Sequence, residues 1–214
     1  MKLRKEIIGN CTLYNADCMK IMSQYPDKHF DLAIVDPPYG KSDGCKRTGG
    51  TWAKKYGKNI TDWDIAPDQS YFNELTRVSK YQIIWGGNYF TLPPSRNFII
   101  WKKHIPENFT LAMCEYAWTN IKGNAKLFYY HSFNPKRIHP TQKPVALYKW
   151  LLSKYAKQGD KILDTHLGSG SIAVACNEMG YDLTASEIDA DYFTAACDRV
   201  REANKQTELF KEAS

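Results

Sequence analysis

The sequence predicts an α/β fold built on a doubly wound, mainly parallel sheet of seven strands. Three observations carry that reading. Apolar runs of strand length alternate with amphipathic runs of helix length, the pattern of parallel strands joined by crossover helices. One strand run stops at a double proline and another leads through a glycine-rich turn into a helix, as happens at the carboxyl ends of such sheets, where ligands bind. The glycine unit also stands late, with 44 residues after Gly170. The strands that would normally follow it must precede it, so the order of the two halves is circularly permuted.

Strands are expected at 12–16, 32–35, 82–85, 98–101, 116–119, 127–130, 162–163 and 183–186, each a short apolar or β-branched run. Pro67 and Asp68 open a helix with Phe72, Leu75 and Val78 on one face. Pro144 opens another, with Leu147, Leu151 and Tyr155 at i, i+4 and i+8. A third follows the glycine turn, and the last spans roughly 191–204. Residues 40–61 hold glycines and cations without an apolar period, which predicts a mobile surface loop. No linker interrupts the 214 residues, so a single domain over 1–214 is expected.

Composition excludes several classes. No run approaches the roughly 18 apolar residues of a membrane span, and no signal segment is visible. The six cysteines include no C-x-x-C pair, which argues against a zinc ribbon or a disulfide framework and for reduced thiols in the cytoplasm. His29, His104, His131 and His139 form no ligand spacing with cysteine, so no metal is expected. Residues 41–60 hold Lys41, Lys46, Arg47, Lys54, Lys55 and Lys58 against the single acid Asp43, a net +5 within a chain of formal charge +6. Charge so concentrated suits a polyanionic partner. The interleaved Trp52 and Tyr56 suit stacking on bases.

Two segments carry the chemistry. In the first, the short strand at 161–164 is followed by Gly168-x-Gly170-x-x-Ala173. A missing Cβ there lets the backbone approach a nucleotide-like ligand at the positive end of a helix. Nineteen residues after Gly168, Glu187 ends another strand, placed to accept both ribose hydroxyls. A tight turn with a capping serine is the competing structural reading. The second segment is Asp36-Pro37-Pro38-Tyr39, directly after the apolar run 32–35. Two prolines remove two backbone donors and hold the chain extended. Asp36 and the Pro37 carbonyl can then both accept from an exocyclic NH2 group, with the Tyr39 ring beside the base. A rigid turn capped by an aspartate is the bland alternative. Trp85-Gly-Gly-Asn-Tyr-Phe90, after a buried strand, offers Gly86, Gly87, Asn88 and Phe90 as a base-pocket lining or as an ordinary turn.

Taken together these segments resemble the S-adenosylmethionine-dependent amino-methyltransferases of DNA, in their permuted β-type order. Asp36-Pro-Pro-Tyr39 resembles that family's catalytic tetrapeptide, and Asp164-x-x-x-Gly168-x-Gly170 its methionine-binding loop. His139-Pro-Thr-Gln-Lys-Pro144 resembles the segment before that loop, which implies that Thr141 and Lys143 contact the cofactor carboxylate. Asn15-Ala-Asp17-Cys18 resembles the adenine-binding turn, and His166 and Ser169 fall within the cofactor loop. Two departures stand out: His166-Leu167 replaces a frequent aromatic position, and the stretch 120–138 is short for a target-recognition region.

The resemblance implies a Rossmann-like methyltransferase fold, S-adenosylmethionine as cofactor and double-stranded DNA as partner. It also implies a flipped adenine as target, methylated at N6, and is compatible with a homodimer and with a partner restriction endonuclease. Cytosine N4 presents the same chemistry. An NAD-dependent oxidoreductase would share the glycine turn and Glu187 but leave Asp36 to Tyr39 unexplained. A non-catalytic nucleic-acid-binding module would need no cofactor.

Overall fold

The computed structural model describes residues 3–40, 65–109, 111–131 and 137–212, with side chains to residue 206. Among them, nine strands form one sheet. They are β1 Arg4–Ile8, β2 Cys11–Asn15, β3 Phe30–Val35, β4 Ser79–Trp85, β5 Phe98–Lys102, β6 Cys114–Thr119, β7 Lys126–Tyr129, β8 Lys161–Asp164 and β9 Asp182–Glu187. The order across the sheet is β1-β2-β9-β8-β3-β4-β6-β5-β7. Every pairing is parallel except β1 with β2 and β6 with its two neighbours.

The expectation of seven strands is thus corrected to nine. All eight apolar runs form strands. The ninth, β1, is an edge whose residues are mostly solvent-facing, so it carries no apolar run to betray it. It folds back through Gly9-Asn10, with Gly9 at φ +56°, and is tied down by Arg201 Nη2 donating to Glu6 Oε2 at 2.8 Å and Arg4 Nη1 to Thr194 Oγ1 at 3.0 Å.

Among the described residues five helices flank the sheet: α1 Cys18–Met22, α2 Gln69–Val78, α3 Val145–Tyr155, α4 Ser171–Met179 and α5 Ala190–Glu212. Asp68 caps α2, its carboxylate accepting from Ser70 N at 2.9 Å. Two buried clusters show the double winding. Leu32, Ile34, Ile83 and Trp85 pack with Leu147 and Leu151 of α3, Ile172 of α4 and Phe193 of α5. Their strand neighbours Ala33, Val35 and Ile84 pack with Met22 of α1 and Phe72 and Leu75 of α2. Successive strand residues thus serve opposite faces, and both faces are covered.

The chain leaves β8 through α4 to β9 on one side, and leaves β3 through α2 to β4 on the other. Between β8 and β3 the crossovers therefore diverge. This switch point opens a crevice beyond the carboxyl ends of the two strands, which are Asp164 and the residue after Val35, Asp36.

Candidate active site

Four strands deliver carboxylates or aromatics to that crevice. β3 hands over to Asp36, β4 to Trp85 and Gly86, β8 ends at Asp164 and β9 at Glu187. All four run parallel, so their carboxyl ends share one rim.

On one flank lies the glycine turn. Gly168 and Gly170 have φ of +52° and +73°, left-handed conformations that glycine adopts without steric penalty. A Cβ on Gly170 would meet Val200 Cγ2 at 3.1 Å and Ala196 Cβ at 3.4 Å, so this glycine is also required for α5 to pack close. Glu187 braces the turn, with Oε2 accepting from Gly168 N at 2.9 Å and Oε1 from Asp189 N at 3.0 Å. Burial pushes its carboxyl upward. Asn15 Nδ2 donates to the carbonyls of Glu187 and Ile188 at 2.8 and 3.1 Å, which joins the turn at 15–18 to the same flank. There Asp17 caps α1, accepting from Met19 N at 2.8 Å. Burial, and then the Asp17 carboxylate, push the Cys18 thiol up to about 12, so it stays a thiol.

Asp164 is buried and accepts from His166 N at 3.0 Å. Burial raises its carboxyl to about 7. The same cause drives His166 down to about 4. Its ring lies edge-on to Tyr71 and within 2.9 Å of Thr165 Oγ1, a neutral packing residue. Thr141 is exposed, its hydroxyl 3.1 Å from His139 Nδ1. The His139 ring in turn lies 3.8 Å from where a Gly168 Cβ would stand. The structure brings Asp17, Cys18, Thr141, Asp164, His166, Gly168 and Glu187 to one flank.

Two residues expected at the cofactor have side chains placed elsewhere. Ser169 is buried with its hydroxyl 3.1 Å from Ser171 Oγ, so it meets a helix residue rather than the crevice. Lys143, expected on a cofactor carboxylate, turns to the other flank. Its ammonium is paired with Asp36 Oδ2 and lies 3.1 Å from Glu115 Oε2, with the Trp85 ring 5.3 Å away. An ammonium buried to 2% exposure cannot remain without anions, and Asp36 and Glu115 are the ones within reach. Burial alone would lower its pKa, but the two carboxylates outweigh burial and hold it above the ordinary lysine value.

On that flank each Asp36 oxygen has one partner, Lys143 at Oδ2 and at Oδ1 the Tyr39 hydroxyl, which donates at 2.7 Å. Burial, followed by the Asp36 and Glu115 carboxylates, drives the Tyr39 phenol far above its ordinary range, so it remains a donor. Its ring stacks on Tyr89 at 5.2 Å and meets Phe90 edge-on at 6.2 Å. It also presses on Gly86, where a Cβ would lie 2.1 Å from Tyr39 Cε1. Gly86 and Phe90 are thereby brought against the Tyr39 ring, with Pro37 buried and Pro38 half-buried. Asn88 points to solvent. Sequence reasoning missed Glu115, Lys103 and Tyr89. Their only signals were a lone acid opening an apolar strand, a cation after another, and an aromatic two residues beyond Gly87.

Lys41, Lys46, Arg47, Trp52, Lys54, Lys55, Tyr56 and Lys58, and with them the loop expected at 40–61, lie outside the described residues except for Gly40. Among the described residues no helix is long and apolar enough to cross a membrane.

A sequence profile described as DNA methylase, of the N6/N4 type, matches residues 76–198. The chain is 22% identical to the type II methyltransferase M2.DpnII of Streptococcus pneumoniae, covering 90% of each. Among solved structures, it superposes on a complex titled M1.HpyAVI-SAM with a TM-score of 0.59 at 21% identity, covering 88% of this chain and 99% of that one. The PvuII DNA methyltransferase, described as cytosine-N4-specific, gives a TM-score of 0.60 at 11% identity over 94% and 93%.

Proposed function

This chain belongs to the DNA methylase family, and from that premise we propose that it transfers the methyl group of S-adenosylmethionine to the N6 amino nitrogen of an adenine in double-stranded DNA. The observation that carries the reading is the placement of Asp36, at the end of β3 across the switch point from the glycine turn of β8.

The residues present fit the cofactor. Gly168 lacks a Cβ on the crevice side, Glu187 ends β9 as the acceptor for ribose hydroxyls, and Asp164 is a buried carboxyl raised to about 7. A cationic ammonium or sulfonium beside Asp164 would offset the effect of burial and favour its ionised form. Bound there, S-adenosylmethionine supplies an electrophilic methyl group. Asp36 and the Pro37 carbonyl accept the two protons of the target amine and aim its lone pair along the transfer axis. Their contribution is positioning. The amino group of a paired base is inaccessible, so the base must leave the helix, at a cost of a few kcal/mol. Stacking on the aromatic wall of Tyr39, Tyr89 and Phe90 offsets that cost. Asp at the head of the tetrapeptide supports adenine over cytosine by the family resemblance. Lys41, Lys46, Arg47, Lys54, Lys55 and Lys58 are the proposed phosphate contacts.

Two measurements test this reading. S-adenosylmethionine should raise the melting temperature by mass action and NAD should not. Asp36→Ala should lower turnover by several orders of magnitude with cofactor affinity nearly unchanged, because Asp36 acts on the target base. Near-normal turnover in that variant, or stabilisation by NAD alone, would overturn the assignment.

A further inference from the structure

Behind Asp36 lies a chain of charges that the proposed chemistry does not by itself require. Strand β6 runs against β4, with Trp85 facing Ala117, so the first residues of β6 arrive at the rim where β3 and β4 end. Glu115, half-buried there, faces two ammonium groups: Lys103 Nζ at 2.5 Å from Oε1 and Lys143 Nζ at 3.1 Å from Oε2. Lys143 passes on to Asp36. Each ammonium is flanked by an indole, Lys143 by Trp85 at 5.3 Å and Lys103 by Trp101 at 5.2 Å, which keeps water from its side. The two lysines balance the two carboxylates. The Glu115 Oε2 contact with Lys143, at 3.1 Å, is longer than the one Lys143 makes with Asp36.

We propose that Glu115 is a positioning residue for methyl transfer, sharing the Lys143 charge with Asp36 and thereby setting how strongly Asp36 can accept from the target amine. The inference rests on the reading of Asp36 given above. An ionised carboxylate offers about four lone-pair sites. Tyr39 and Lys143 use two of them, and two remain for the amine. A lysine paired with Asp36 alone would make a stronger charge-assisted bond and leave that carboxylate a weaker acceptor for the amine. A lysine divided between two carboxylates leaves Asp36 pinned yet still a strong acceptor. Lys103 keeps Glu115 ionised for this purpose: burial would raise the Glu115 carboxyl, and the two lysines bring it below the usual glutamate value.

The test compares E115Q, K143M and K143R with the unaltered protein, by single-turnover methylation across pH and by the 13C signal of the Asp36 carboxyl. The NMR readout needs no activity. Other titratable groups facing Asp36 and Lys143 are Tyr39, Tyr71, Tyr148, His139 and Asp164, and these are constant across the series. In E115Q the full Lys143 charge falls on Asp36. The carboxyl signal should move from its place in the unaltered protein, and the maximal rate should drop about 10- to 100-fold with cofactor affinity within twofold. In K143M two carboxylates are left without their shared cation, so the signal should move in the opposite direction and the acid limb of the rate should move to higher pH. K143R, which keeps the charge, should restore both towards the original values.

Variants that slow the reaction without moving the carboxyl signal would reduce Glu115 to a structural brace and overturn the proposal. So would an E115Q protein with unchanged rate and carboxyl signal. The shifts appearing in a protein that methylates no DNA would support the charge-sharing and refute the methyl-transfer reading instead.

Discussion

Gly86 is where the base-pocket wall is most sensitive to one added carbon. It sits at φ +68°, a conformation that costs an L-residue about 1–2 kcal/mol. A Cβ there would stand 2.1 Å from Tyr39 Cε1 and 2.6 Å from both Cδ1 and Cζ, well inside any contact distance. In Gly86→Ala either the ring yields or the turn does. If the turn yields, overpacking adds about 1–3 kcal/mol. If Tyr39 swings out, it abandons its stack on Tyr89, worth about 0.5–1.5 kcal/mol, and its hydrogen bond to the Asp36 carboxylate, about 1.5–3 kcal/mol. With the backbone strain included, the first route predicts a loss of about 2–5 kcal/mol and the second about 3–6.5 kcal/mol. Gly159→Ala supplies the control, because Gly159 also has positive φ, +89°, but no atom lies within 4 Å of its missing Cβ. It should cost only the backbone strain. Urea unfolding of the two variants, read as a difference, isolates the clash with Tyr39. The methylation rate should fall at least 100-fold in Gly86→Ala, since displacement of Tyr39 disturbs both the stacking surface and the orientation of Asp36, and should be unchanged in Gly159→Ala. Equal stabilities for the two variants, with full activity in Gly86→Ala, would refute the inward placement of the Tyr39 ring.

Two further expectations concern pH and salt. His139 and His166 are each pushed down to about 4 by burial, His139 also by the Lys143 ammonium. The unfolded chain therefore takes up protons first, and each histidine removes on the order of 3 kcal/mol as pH falls from 6.5 to 4. Asp164, raised to about 7 by burial, works in the opposite sense: the folded state holds its proton, so its contribution is full below about 4 and is lost as pH rises through 7. Asp164→Asn should consequently lose stability more steeply between pH 7 and 4 than the unaltered protein in urea titrations, and an equal or shallower dependence would contradict the burial of Asp164. Neutralising Lys46, Lys54 and Lys58 together should lower the slope of log K against log salt for DNA binding by up to about 0.9 per lost phosphate contact and leave cofactor affinity intact; an unchanged slope would remove the segment from the DNA surface.

Much of this architecture is legible in the sequence because strand formation depends on local apolar runs. All eight became strands, and the stops at Asp36-Pro37-Pro38 and Gly168-x-Gly170 mark the rim directly. Arg4–Ile8 escaped because an edge strand buries little; Gly9-Asn10 between two extended runs was the available hairpin cue. The orientation of Lys143 was not legible for a different reason. Its partners Asp36 and Glu115 lie far away along the chain, and only the reversed direction of β6 brings Glu115 to the carboxyl ends of β3 and β4. Sequence identifies which residues carry charge at the rim, but the pairing of buried charges is decided by strand order. The same holds for Tyr39, whose aromatic partner Tyr89 reaches it through the glycine turn after β4.

Methyl transfer to an exocyclic amino nitrogen of DNA is open to direct measurement by nucleoside mass spectrometry of mixed-sequence duplex DNA, incubated with isotope-labelled S-adenosylmethionine and either the unaltered protein or Asp36→Ala. Labelled N6-methyladenine is expected from the unaltered protein and none above background from the variant. Label confined to N4-methylcytosine would overturn the choice of base, and equal labelling by both proteins, or none by either, would contradict the mechanism.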